Sequence, residues 1–190
     1  MFAGRKKEKI RYGFMGLTRG SGTTHMAVST AFCCSNHFGR KTAFIELSGH
    51  NEIENLREFE KGSPFNVFGT DFYPGVTGDE LYEILNTDHD CFVMDLGCIE
   101  DGRINEFAIC DRKFITGIFS PWNEQRLLSI MDEIKSNHKI INNVSGILRG
   151  SDRIKKTVER EYGIPVRSLP FIADAFDIKK ENRAFFNELL

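Results

Sequence analysis

The stretch YGFMGLTRGSGTTHMAVSTAF, residues 12–32, constrains the chain more than any other. An apolar, aromatic run passes into Gly20-Ser21-Gly22 and then directly into a segment of helical composition. A strand that must turn into a helix within a few residues is built most readily from glycine, which takes positive φ without a Cβ penalty. Such a turn also aims backbone N–H groups at one point in front of a helix N-terminus, where an anion is favoured. Arg19, Gly20, Ser21, Gly22 and Thr23 are therefore candidate residues of an anion cradle, and Thr24 carries a hydroxyl where Mg²⁺ would be coordinated. As a motif, LTRGSGTT meets G-x-x-x-x-G-K-[ST] at two of its four fixed positions, Gly22 and Thr24, with Leu17 in place of the first glycine and Thr23 in place of the lysine. A tight strand-to-helix turn that binds nothing accounts for the same glycines.

Beyond the loop, short apolar runs rich in β-branched and aromatic residues alternate with longer runs of helical period, which predicts α/β architecture with a mostly parallel sheet. Strands are expected at Ile10–Gly16, Lys41–Leu47, Phe65–Phe72, Cys91–Gly97, Arg112–Ser120, Asn143–Leu148 and Val166–Pro170. Helices are expected near Thr24–Phe38, Gly78–Asn86, Ile104–Cys110, Asn123–Asn137 and Ser151–Tyr162. Leu127, Ile130, Met131 and Ile134 form a stripe on the fourth helix, while Ser151 and Gly163 cap the fifth. The expected fold is a single α/β domain over residues 1–190, a twisted sheet of roughly seven strands with helices on both faces.

Composition narrows the function classes. A net charge of −2 argues against a nucleic-acid footprint spread over the surface. No apolar run is long enough to span a membrane, and MFAGRKKEKIR lacks the apolar stretch a secretory signal needs, so the chain reads as cytoplasmic. The five cysteines show no CxxC pairing and read as buried reduced thiols.

The order and spacing of the segments resemble the MinD/ParA-like group of P-loop ATPases. In that family the loop reads K-G-G-x-G-K-[ST], which here becomes Thr18-Arg19-Gly20-Ser21-Gly22-Thr23-Thr24. GRKTAFIELSGHN is similar to the family's second strand, which ends in D-x-D-x-x-x-N, with Glu46 and Ser48 at the two acidic positions. HDCFVMDLG resembles the strand that ends in the Mg²⁺-associated aspartate, here Asp95, and YGIPVRSLPFIADA resembles the closing strand and its proline turn. The resemblance implies Mg²⁺-ATP as cofactor, Thr24 and Asp95 at the metal, and Glu46 and Asp95 as catalytic residues if the chain is active. Asp95 reads equally as a strand-end aspartate that caps the following turn.

The departures fall on the chemistry. Both loop lysines are threonine, Thr18 and Thr23. A lysine about 4 Å from a phosphate oxygen contributes roughly 4 kcal/mol of attraction at an effective dielectric near 20, before desolvation. Arg19 replaces one lysine only if its side chain turns inward. Ser48 removes an acid, and Leu148 stands where the family places an adenine-reading asparagine. The expectation is ATP or ADP with Mg²⁺ bound weakly or not at all, and a non-hydrolysing docking or positioning module of the division, partition, secretion or pilus type with a protein partner. An active ATPase with a lysine-free loop and a small-molecule P-loop enzyme stay open, as does a homodimer. The tail FDIKKENRAFFNELL is expected to pack as a last helix, with a basic amphipathic membrane contact as its alternative.

Overall fold

The structure, a computed structural model, describes residues 8–57, 63–138 and 140–190. The basic N-terminal stretch considered above falls mainly on residues 1–7, outside the described residues.

Eight strands form one sheet: β1 (Ile10–Gly16), β2 (Thr42–Glu46), β3 (Phe65–Val67), β4 (Thr70–Tyr73), β5 (Cys91–Cys98), β6 (Arg112–Ile118), β7 (Val144–Arg149) and β8 (Val166–Ser168). Their order is β3-β4-β2-β5-β1-β6-β7-β8, and every pair is parallel except β3 with β4. The helices are α1 (Thr23–Asn36), α2 (Gly78–Leu85), α3 (Ile104–Ala108), α4 (Glu124–Ser136), α5 (Asp152–Tyr162) and α6 (Lys180–Leu189). Parallel neighbours require crossovers, and the intervening helices supply them on both faces.

Strand periodicity divides the core in two. Along β1, Tyr12 and Phe14 point to one face and Met15 to the other, since successive side chains alternate. The second layer holds Met15, Met94 and Ile115 against Leu81 of α2, Phe107 of α3, the α4 stripe Leu127, Ile130, Met131 and Ile134, and Ile154 and Val158 of α5. The first holds Phe14, Phe44, Phe72 and Phe114 beneath α1 and α6. Ring pairs run across it, Phe14–Phe114 at 4.8 Å, Phe44–Phe72 at 5.0 Å and Phe65–Phe72 at 5.6 Å between centroids. Helix α1 meets these rings with Ala27 and Ala31, both buried, so small residues on the helix accommodate large ones on the strands. Much of the chain's content of seventeen phenylalanines is used there.

One expectation is corrected. The run Phe65–Phe72 is not one parallel strand but the hairpin β3–β4, turning at Phe68 (φ 47°) and Gly69 (φ 79°). Two central residues with positive φ make the turn whose twist matches antiparallel strands. The caps of α5 are as expected: the Ser151 hydroxyl accepts from the Ile154 N–H at 3.3 Å, and Gly163 ends the helix at φ 67°. The tail forms α6 and packs on the domain, with Phe186 and Leu189 buried. Among the described residues no helix is long and apolar enough to cross a membrane.

Candidate functional site

The turn between β1 and α1 lies at the carboxyl end of a central strand, where open parallel sheets place their ligand crevices. Gly20 (φ 75°) and Gly22 (φ 79°) both take the left-handed conformation, and a Cβ at either would meet nothing closer than Leu169 at 3.8 Å from Gly22. Their glycine identity is thus required by backbone conformation, with open space in front. A cavity of about 480 Å³ opens there, walled by Thr18 to Gly20 and Gly22 to His25 on one side and by His50, Glu52, Gly97, Cys98 and Asp101 on the other.

The side chains of the loop are turned to internal partners. Thr23, at the lysine position, is 8% exposed, and its hydroxyl shares a hydrogen bond of 2.8 Å with the hydroxyl of buried Thr116 on β6. Gly16 makes this possible, because a Cβ there would lie 2.5 Å from the Thr23 oxygen and 3.0 Å from the Thr18 carbonyl. Ser21 closes the loop on itself: its hydroxyl donates to the Thr18 carbonyl and accepts from the Thr18 N–H at 3.3 Å. Arg19 extends across the mouth to Asp101, Nη2 lying 3.4 Å from Oδ1.

The two carboxylates singled out in the sequence lie beneath the cavity instead of in its wall. Glu46, fully buried at the end of β2, accepts from the Glu52 N–H at 2.7 Å and the Gly75 N–H at 3.4 Å. Burial pushes its pKa up, against the pull of those amides. Its oxygens therefore anchor the segment after β2 to the segment before α2. Ser48 adds an oxygen 3.5 Å from Glu46 Oε1.

Asp95, on β5 beside β1, is also fully buried. Oδ1 accepts from the Gly97 N–H at 3.0 Å, the strand-end capping turn that its position allowed, while Oδ2 makes no hydrogen bond. Burial raises its pKa to about 6, against the Thr24 hydroxyl and the Gly97 amide, which favour the charged form; Glu46 and Glu52 add repulsion. Leu148 is fully buried in the core.

No family model matches the chain, and no curated protein matches it in sequence. Solved structures do match in shape. A putative plasmid partition protein from Borrelia burgdorferi B31 bound to AMPPNP superposes with a TM-score of 0.67 at 14% identity, covering 96% of this chain and 97% of that one. A ParA family ATPase from Chlorobium tepidum TLS gives 0.64 at 16% identity, over 84% and 83% of the two chains. The MinC:MinD cell division protein complex of Aquifex aeolicus gives 0.60 at 14% identity, over 94% and 86%. The chain has the ParA/MinD fold.

The residues of the loop Thr18–Thr24 can be tested against Mg²⁺-ATP. The amides at Gly20–Thr24 fit an anion, and the unpartnered Oδ2 of Asp95 with the Thr24 hydroxyl fits a Mg²⁺ ion and its waters. The charge complement does not fit a triphosphate: among the described residues no lysine stands in the cavity wall, and its arginine is paired to Asp101.

Sequence reasoning missed His50 and Asp101, whose mutual approach at 3.4 Å joins segments about fifty residues apart. The one local signal was the short turn Ile99–Asp101, in which Asp101 accepts from the Cys98 N–H at 2.8 Å.

Proposed function

We propose that this chain is a positioning or docking module built on the ParA/MinD fold that does not hydrolyse ATP. The observation that carries the reading is the burial of Thr23 against Thr116 at the lysine position, which replaces a mobile cation by a neutral, internally bonded hydroxyl. Glu46, with its oxygens engaged by two backbone amides, is poorly placed to align a water, and Leu148 offers no hydrogen bond to a base.

ATP with Mg²⁺, if held, would meet the amides of Gly20–Thr24, with Thr24 and Asp95 toward the metal, and the metal would offset phosphate charge. Toward the phosphates themselves, this chain's residues would contribute orientation by backbone only. The matched structures include a plasmid partition protein and a division protein in complex with another protein, which supports a role through a protein partner. Pairing with a second copy of the chain is compatible with that role. The balanced charge of −2 supports neither a nucleic-acid surface nor a strongly basic membrane contact, and α6 spends Phe186 and Leu189 on the core.

The test is phosphate release from ATP with Mg²⁺, combined with thermal melts. At 1 mM ATP, a Kd of about 100 μM would stabilise the fold by roughly 1.4 kcal/mol. For a domain of this size that is a rise of about 3 to 6 °C. The expected outcome is a smaller shift and no hydrolysis above background. Hydrolysis that Asp95→Ala abolishes would establish the active-ATPase reading instead.

A further inference from the structure

The mouth of the cradle carries a charge arrangement that the reading above leaves unused. Arg19 reaches over from the glycine loop and His50 from the turn after β2, and both end on Asp101. Arg19 Nη2 lies 3.4 Å from Oδ1 and His50 Nε2 lies 3.4 Å from Oδ2, so each oxygen of one carboxylate faces a basic group from a different segment. Asp101 is itself fixed, with its side chain 11% exposed and Oδ2 accepting the Cys98 N–H at 2.8 Å. Gly97, at φ 69°, leaves the room that the carboxylate fills. Burial works against its charge, but the Cys98 amide and thiol and nearby His50 outweigh that and hold the carboxyl below the usual carboxylate range. The other acids here reinforce the negative side: Glu52 stands in the same wall and Asp95 lies beneath, while neighbouring Glu100 is tied to Arg126 at 2.9 Å.

We propose that Asp101 is a built-in counter-anion of the glycine loop, pairing with Arg19 and His50, the basic groups an incoming phosphate would need, and repelling polyphosphates from the cradle. The inference rests on the non-hydrolysing reading and extends it from missing lysines to a carboxylate that withholds the arginine of the wall. An exposed arginine pair alone contributes little. The larger effect is repulsion between a mostly buried carboxylate and a multiply charged ligand a few ångströms away, which water screens poorly.

The probe is inorganic pyrophosphate without Mg²⁺, titrated by calorimetry into the wild type, Asp101→Asn, Arg19→Gln and the double variant. Asparagine keeps an oxygen for the Cys98 amide, and Asp101→Ser serves as a second neutral variant with a short acceptor; circular dichroism checks the fold of each. The expected result is a gain of about tenfold or more in pyrophosphate affinity for D101N and D101S. Arg19→Gln should leave the wild type within about twofold but remove several-fold of the D101N gain, a coupling that a purely structural Asp101 would not produce. Equal affinity in wild type, D101N and D101S, or an R19Q effect of the same size in both backgrounds, overturns the proposal. Hydrolysis of Mg²⁺-ATP by the wild type would refute the non-hydrolysing reading, whereas the metal-free pyrophosphate titration decides the role of Asp101 separately.

Discussion

Replacing Asp95 by asparagine should stabilise the protein at neutral pH and do so only there. In the fold Asp95 is wholly buried, one oxygen bonded to the Gly97 amide and the other unpartnered, with a pKa raised from 3.8 to about 6. Because the folded value lies above the unfolded one, the stabilising protonated state is fully present below about pH 4 and is lost as pH rises toward 6. A difference of about 2 units corresponds to roughly 3 kcal/mol. Asparagine preserves the oxygen that faces Gly97 and avoids burying the charge, although its amide needs an acceptor, so roughly 2 kcal/mol is a fair expectation. For this length that is a melting-temperature gain of about 4 to 8 °C above pH 6.5, shrinking to nothing or turning negative near pH 4. Thermal melts of both proteins across pH 4 to 8 in the absence of divalent ions read it directly. A gap independent of pH, or a wild type more stable at pH 8, would refute the argument. Excess Mg²⁺ offers a second reading: a site that truly bound the metal would favour ionised Asp95 and close the gap.

Further outcomes follow from the same contacts. Thr23→Val or Thr116→Val should each cost about 1–3 kcal/mol by leaving one buried hydroxyl alone, whereas the double variant should cost less than the sum, as urea unfolding of the four proteins would show. Phe186→Ala should cost about 3–5 kcal/mol, and truncation after Asp177 should expose apolar surface without abolishing a liposome interaction, since none is expected in the intact chain. All five cysteines are buried and free, and burial pushes Cys33 and Cys110 up to about 12. A thiol reagent should therefore find them unreactive until denaturant is added.

The sequence legibility of this fold varies with the range of the interactions involved. β1 coincides with its predicted span and β5 is within one residue, because a buried central strand is a continuous apolar run bounded by polar residues. The β3–β4 hairpin was missed because Phe68 adopts φ 47°, a conformation that no local preference of phenylalanine announces. Phe68 instead meets Phe32 at 6.1 Å and Phe176 at 5.4 Å, partners from α1 and from the segment before α6. In the loop, the glycine turn could be read directly, since the positive φ of Gly20 and Gly22 is a local matter. The direction of each side chain could not. Whether Arg19 faces inward depends on Asp101, eighty-two residues away, and whether Thr23 is free depends on Thr116, ninety-three residues away.

The bond between Thr23 and Thr116 also bears on how readily the loop could accept a cation. With the space over Gly16 taken by a hydroxyl that has its own partner, placing a lysine at position 23 is not a neutral step. A lysine introduced at position 23 would leave Thr116 in the core without that partner and would meet Asp101 across the cavity, so the substitution costs stability before it can add affinity for an anion.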